Sequence, residues 1–327
     1  MGNRNSCLIL AIIILALFVS SQRSSAQDTT GIYLWHVKSG KQIRVMSQDG
    51  TATSVAFSPD GSTLASGSGS GGFDVGFMYI WDVKTGKRLR EARLDGAINA
   101  LRFLPDGEML AVGTLKATLL FSKKTGKPIA KLGDGYTTFL DVSSDGKLVA
   151  SNAGGKVTVW DVATRKAVTK VEPKAYAYGV SISPDRKRVA FGTRAGGVGI
   201  VELATGKLVH SYATPKLVQA IAFSPDGKQL AAGNYFNGAV YIWEMSTRKK
   251  LTEFRPSKQG IFSLAWSPKG EFLAASIYHD RRIVLLDPKT GKQSMTIGIS
   301  DILGARSVTV SPDGSLIAAA CTPTVMR

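Results

Sequence analysis

The sequence predicts an all-β fold, a seven-bladed β-propeller built from four-stranded antiparallel blades, and three observations carry that prediction. A turn centred on Ser-Pro-Asp-Gly returns seven times along the chain. A second marker, a large apolar residue followed by a short polar or acidic one, trails each of the first six turns. The two ends of the chain each hold half of the repeating unit, and the halves are complementary.

The turn reads FSPDG at 57–61, FLPDG at 103–107, VSSDG at 142–146, ISPDR at 182–186, FSPDG at 223–227, WSPKG at 266–270 and VSPDG at 310–314. From Asp60 through Asp106, Asp145, Asp185, Asp226 and Lys269 to Asp313, the intervals are 46, 39, 40, 41, 43 and 44 residues. Periods of this size mark repeat architectures, in which each unit is one supersecondary element. The second marker is Trp81-Asp82, Phe121-Ser122, Trp160-Asp161, Val201-Glu202, Trp243-Glu244 and Leu286-Asp287, each ahead of a Thr-Gly or Thr-Arg turn. Between the markers, stretches such as SVAF, MYIWDV and VTVWDV are β-branched or alternate with period two, which is strand composition. Pro sets φ at one turn position and Gly admits positive φ at another, so the markers are turns and each unit holds four short strands, a to d.

Taken from the N-terminus, residues 1–26 stand apart: Arg4, an apolar run from Leu8 to Val19, then Ser24-Ser25-Ala26 ahead of Gln27. This is the three-part form of a secretory signal peptide, and the run is shorter than the roughly 20 residues that span a bilayer. The expected mature domain is 27–327, with an extracytoplasmic destination, secreted or periplasmic. It opens with an orphan c–d pair, IYLWHVKSGKQIRVM at 32–46, and the chain finishes with an orphan a–b pair, SVTVSPDGSLIAAAC at 307–321. Together they make one composite blade, which closes the ring and leaves no free sheet edge at the termini.

The a–b turn Ser-Pro-Asp-Gly, the Trp-Asp ending strand c and the Thr-Gly-Lys turn into strand d together resemble the WD-repeat β-propeller family, over residues 31–327. The Gly-His dipeptide of that family is missing from every unit, and the only histidines are His36, His210 and His279, so a His-centred network between strands is excluded. The resemblance implies a rigid binding scaffold rather than an enzyme.

Composition bounds the function further. Of two cysteines, Cys7 falls in the leader, which leaves Cys321 alone at the end of an apolar strand and rules out an internal disulfide in the mature chain. The formal charge is +17, or +15 once Arg4 and Arg23 leave with the leader, and it is spread over the chain rather than collected in one run. A balance of this sign favours acidic partners.

Antiparallel succession puts a–b and c–d turns on one face of the disc and b–c and d–a loops on the other. The irregular loops are expected to bind. They are expected to carry Tyr136, Tyr176, Tyr178, Arg194, Tyr235, Phe236, Tyr278, His279, Arg281, Arg282 and Arg306, a mixture of aromatic and guanidinium groups suited to anchoring an interface. Among these, Tyr178, Tyr235, Tyr278 and Arg281 are the predicted partner-binding residues, with a protein as the expected partner. An acidic polymer (glycan, envelope polyanion or nucleic acid) bound through net charge is the alternative, and an enzyme with a site in the central channel is the third. The glycine-rich stretch 66–72 lacks the lysine and the strand-to-helix context of a phosphate loop. His279-Asp280 has no nucleophile with a local signature, and three scattered histidines give no metal-ligand spacing, so no catalytic residue, metal or cofactor is predicted.

Overall fold

The computed structural model describes residues 30–69, 74–299 and 302–323, so the leader segment 1–26 and part of the glycine-rich stretch lie outside the described residues. The described residues form seven four-stranded sheets arranged as the repeat predicts. Blade 1 holds β3 (Thr51–Phe57), β4 (Thr63–Gly69), β5 (Val75–Asp82) and β6 (Arg88–Asp95). The innermost strands of blades 2 to 6 are β7 (Ile98–Phe103), β11 (Leu140–Val142), β15 (Ala177–Ile182), β19 (Val218–Phe223) and β23 (Ile261–Trp266). Blade 7 is the composite, with β27 (Ile302–Val310) and β28 (Leu316–Pro323) paired to β1 (Gly31–His36) and β2 (Gln42–Ser47) in the order β2-β1-β28-β27. Gly31 sits opposite Cys321 and His36 opposite Leu316, so the ring is closed by hydrogen bonds between the two ends of the chain.

The repeated turn residues have a local reason. In the a–b turn, the Ser58 hydroxyl donates to Asp60 Oδ1 at 2.5 Å and accepts from the Thr63 N–H at 3.0 Å, while the Gly61 N–H donates to the Ser58 carbonyl at 2.9 Å. Ser143–Asp145, Ser183–Asp185, Ser224–Asp226 and Ser311–Asp313 repeat the side-chain bond at 2.5 to 2.7 Å. The Trp-Asp dipeptide divides its labour in the same way: Trp81 is buried, and Asp82 accepts from the Thr85 N–H and hydroxyl, both at 2.6 Å, to close the c–d turn. Asp161 and Thr164 do the same at 2.7 and 2.8 Å.

Hydrogen bonds to the charged form hold these carboxylates low: the Ser58 and Ser62 hydroxyls lower Asp60 to about 2, and those of Ser311 and Ser315 lower Asp313 to about 2. An unfolded Asp titrates near 3.9, so between about 2 and 3.9 the unfolded chain binds more protons, and the turns lose their stabilising contribution as pH falls through that window. The melting temperature is expected to drop between pH 4 and pH 2, and Ser58→Ala with Ser311→Ala should flatten that acid limb in a thermal melt series. An acid limb unchanged by the double substitution would rule the turns out as its cause.

Packing is radial. Among the described residues, seven clusters of buried side chains occupy the seven contacts between neighbouring sheets. Strand b is buried on both faces and so is built of small and apolar residues, as in the Leu230–Gly233 part of β20 (Gln229–Asn234), whereas strand d forms the rim and is mostly exposed. Cys321 is fully buried, and burial pushes its thiol well above the ordinary range, as suits an inert strand residue.

Without the histidine network, the blades are stitched from strand a to strand a. The Ser54 hydroxyl accepts from the Leu101 N–H (3.1 Å), Asp141 Oδ2 from the Ile182 N–H (2.8 Å), the Ser181 hydroxyl from the Phe223 N–H (3.2 Å) and the Ser263 hydroxyl from the Val308 N–H (3.2 Å). Asn99 Nδ2 donates to the Thr137 carbonyl at 3.0 Å and Trp266 Nε1 to the Ala222 carbonyl at 3.1 Å. Each bond satisfies a backbone group at the wall of the channel, where no neighbouring strand of the same blade can reach it.

Candidate binding face and central channel

The channel is lined by the same register position of each innermost strand, so its chemistry is read by stacking the repeats. At the mouth on the b–c/d–a face, the residues counted back equally from each a–b turn are Thr53, Asn99, Thr138, Tyr178, Gln219, Phe262 and Arg306. Three of these are large, and loop residues extend them outward into two aromatic groups.

The first group spans blades 5 to 7. Tyr235, in the loop after β20, packs on Phe262 with centroids 5.1 Å apart; Phe262 packs on Tyr278 at 4.7 Å; and the Arg306 guanidinium lies 5.5 Å from the Tyr278 ring centre. Phe236 extends from Tyr235 at 4.9 Å and is 58% exposed. The second group belongs to blades 3 and 4, where Tyr178 packs on Tyr176 at 5.3 Å and on Phe139 at 6.4 Å. Tyr136 stands beside it, 44% exposed. Burial raises the Tyr136 phenol, Tyr178 adds to the rise and the Arg306 charge opposes it, so the positive field of blade 7 reaches the second group.

The structure redistributes the residues expected in loops. Tyr235, Phe236, Tyr136, Tyr176, Arg194 and Arg281 are in loops, but Tyr178 belongs to β15, Arg306 to β27, and Arg282 begins β25 (Arg282–Leu286). Tyr278 is only 7% exposed, a floor beneath the mouth rather than a projecting anchor. Gly304 explains its position: its φ is +150°, and a Cβ there would fall on the Tyr278 carbonyl oxygen, so backbone and floor meet in direct contact. Arg282 is committed, donating to Asp280 Oδ2 at 2.9 Å and to the Pro256 carbonyl at 3.1 Å. The side chains of Arg281 and Arg306 make no hydrogen bond or ion pair to the described residues and are exposed, which leaves the N–H donors of two guanidinium groups open to a partner. Sequence reasoning passed over Phe139 and Phe262, since both lie in or beside strands; aligning the inner strands position by position would have shown Phe262, while Phe139 stands one residue off the mouth position held by Thr138.

His279 and Asp280 do not form an acid–base pair. The carboxylate takes a hydrogen bond from the Ser257 hydroxyl and the Arg282 guanidinium, while the His279 ring sits edge-on to Tyr278 at 5.0 Å. No group of three His, Cys, Asp or Glu among the described residues could hold a metal ion.

Deeper in the channel, the next inward-facing position of each strand reads Ala56, Arg102, Asp141, Ser181, Ala222, Ala265 and Thr309. Here the channel holds a cavity of about 300 Å³, whose lining includes Pro184, Ser224 and Pro225 of the a–b turns. Arg102 and Asp141, on adjacent blades, are its only charges. Burial lowers the Arg102 guanidinium and raises the Asp141 carboxyl, and each charge counters the other's shift. Asp141 is satisfied by backbone N–H donors, whereas Arg102 donates to the Leu101 carbonyl at 3.0 Å.

The opposite face carries a periodic charge: Lys41, Lys87, Lys127, Lys166, Lys207, Lys249 and Lys292 follow the c–d turn of every blade. Positive charge on the turn face and aromatic surface on the loop face are thus spatially separate.

Residues 40–72, 206–244 and 248–287 match the family described as WD domain, G-beta repeat. No curated protein sequence matches the chain. No helix among the described residues is long and apolar enough to cross a membrane.

Proposed function

We propose that this chain, a seven-bladed β-propeller consistent with the WD-repeat family, whose members are typically protein-interaction scaffolds and generally non-catalytic, is an exported scaffold that docks a protein partner on its b–c/d–a face. The observation that supports this most is the continuous Tyr235–Phe262–Tyr278 arc with Arg306 against it, ringed by the free Arg281 and by Tyr178 across the mouth. Aromatic rings give large contact area at small entropic cost, and guanidinium groups add directed hydrogen bonds, which is the composition of interface hot spots. Two guanidinium groups with open N–H donors suit an acidic segment on the partner.

The test is affinity capture from the extracytoplasmic fraction, washed at low and high salt, with the bound protein identified by mass spectrometry. Replacing Tyr178, Tyr235, Arg281 and Arg306 together by Ala is expected to weaken capture at least 100-fold. Tyr278→Phe, which keeps the floor, is expected to leave it within a few-fold. Capture that survives the quadruple substitution would move the interface off this face. N-terminal sequencing of the exported protein tests the leader, with Gln27 as the expected first residue.

The lysine that follows every c–d turn favours a second reading, an acidic polymer bound on the turn face. Counterion release makes that affinity fall steeply with salt, whereas an aromatic interface loses far less. The quadruple mouth variant would not alter it.

A further inference from the structure

We infer that the rim cleft between blades 4 and 5 is a binding site for a small tetrahedral oxyanion, a phosphate or sulfate group carried on a polar molecule. The cleft is a cavity of about 720 Å³, and its floor is Tyr212 of β18 (Leu208–Tyr212), with Arg188 of β16 (Arg188–Thr193) and Arg248 of the blade 5 c–d turn on its walls.

The floor is anomalous within the repeat. The residues opposite the same strand-c position of each blade are Met46, Ala92, Gly133, Val171, Tyr212, Phe254 and Ile297, and Tyr212 alone carries a polar group. Its ring stacks on Trp243 of the next blade with centroids 4.5 Å apart, and the His210 ring meets it edge-on at 4.4 Å. Tyr212 is 7% exposed, and its hydroxyl has no hydrogen-bond partner in the structure. An unmade hydrogen bond at a buried hydroxyl is costly, and apolar residues serve this packing role in the other six blades.

The walls differ from the other blades as well. At the contact between blades 7 and 1 the cation is Arg44, which stands at the register position of His210 and is tied to the neighbouring turn, donating to the Thr85 and Lys84 carbonyls, both at 2.8 Å. The side chains of Arg188 and Arg248 make no such bond and no ion pair among the described residues. Glu202 and Glu244 also line the cleft, and each is turned to its own c–d turn rather than to an arginine: Glu202 accepts from the Thr205 hydroxyl at 2.8 Å and Glu244 from the Thr247 hydroxyl at 2.6 Å. Arg248 also holds a left-handed backbone, φ +60°, where five other blades place Gly40, Gly86, Gly126, Gly206 and Gly291; Arg165 is the other exception. A Cβ is disfavoured in that conformation, so the guanidinium is retained at a structural cost. Burial raises the Tyr212 phenol, and the charges of Arg248 and then Arg188 pull it back, which places both cations within electrostatic reach of the hydroxyl. Two guanidinium forks and one phenol O–H offer the donors that a tetrahedral oxyanion accepts.

The test is calorimetric titration of the purified protein with inorganic phosphate and with sulfate, at low salt and at 150 mM sodium chloride (a condition near the physiological range of about 0.15 M). Saturable binding at one site per chain that persists in the chloride buffer is expected. Tyr212→Phe should weaken it about ten-fold with the fold intact. Arg248→Gly, which supplies the residue most blades use here, should melt no lower than the parent and yet bind at least ten-fold more weakly, as should Arg188→Ala. Uptake that never saturates and vanishes in chloride, or binding indifferent to these substitutions, would assign any effect to diffuse charge and overturn the site. Acetate binding as tight as phosphate would overturn the tetrahedral preference. The cleft is at the rim, so the quadruple mouth variant should bind phosphate as the parent does, whatever becomes of partner capture.

Discussion

Ending the chain at Ser315 is expected to abolish folding outright. The segment lost, β28, is an inner strand of its sheet: it pairs with β1 over Gly31–His36 on one side and with β27 on the other. Ile317, Ala318, Ala319, Ala320 and Cys321 are fully buried, and they alternate between the core shared with blade 6 and the core shared with blade 1. Removal therefore opens two of the seven inter-blade cores at once and exposes two strand edges. Large-to-small changes at single core positions cost roughly 2–5 kcal/mol, and a whole domain holds only about 5–15 kcal/mol. Circular dichroism and a urea titration would check this, with no cooperative transition expected. A circular permutant in which a short linker joins residue 323 to residue 30, reopened within 70–73, restores the same seven sheets and is expected to melt cooperatively. A truncated chain that unfolds cooperatively at nearly the parental midpoint would show that closure is dispensable.

Asp141→Ala is expected to cost about 1–3 kcal/mol, because it removes an inter-blade stitch and, with it, the one negative charge in the cavity that opposes Arg102. The Ile182 N–H loses its acceptor at the channel wall, and the Arg102 guanidinium is left in the cavity with no opposing charge. Arg102→Ala placed on top of Asp141→Ala should recover at least 1 kcal/mol, since an uncompensated buried charge costs more than the absence of both. Urea unfolding of the two single variants and the double variant closes the cycle. Additive losses, or a loss below about 1 kcal/mol for Asp141→Ala, would mean that the two charges are solvated independently in the channel.

Much of the architecture was legible from residues alone because a repeat states its own local rules. Ser58, Asp60 and Gly61 bond to one another within a single turn, and Asp82 and Thr85 do so within the next, so their spacing already specifies strand ends, strand number and the complementary half-blades at 32–46 and 307–321. Strand direction followed, and with it the division of loops between two faces. The candidate binding face was only partly legible: Tyr235 and Arg281 are loop residues as expected, whereas Tyr178 and Arg306 lie on the inner strands and Tyr278 forms a buried floor.

What tertiary structure alone decided are the relations between blades, which no repeat unit contains. Phe262 joins Tyr235 and Tyr278 only because three blades converge on one mouth. Arg102 comes within electrostatic reach of Asp141 only because strands some 40 residues apart in sequence stand side by side around the channel. Tyr212 becomes an unsatisfied hydroxyl beneath two arginines only once Trp243 of the following blade packs on its ring. The physical reason is common to all three: hydrogen bonds within a turn act over a few residues and are written in spacing, while burial, charge pairing and desolvation depend on which neighbours the closed ring brings together.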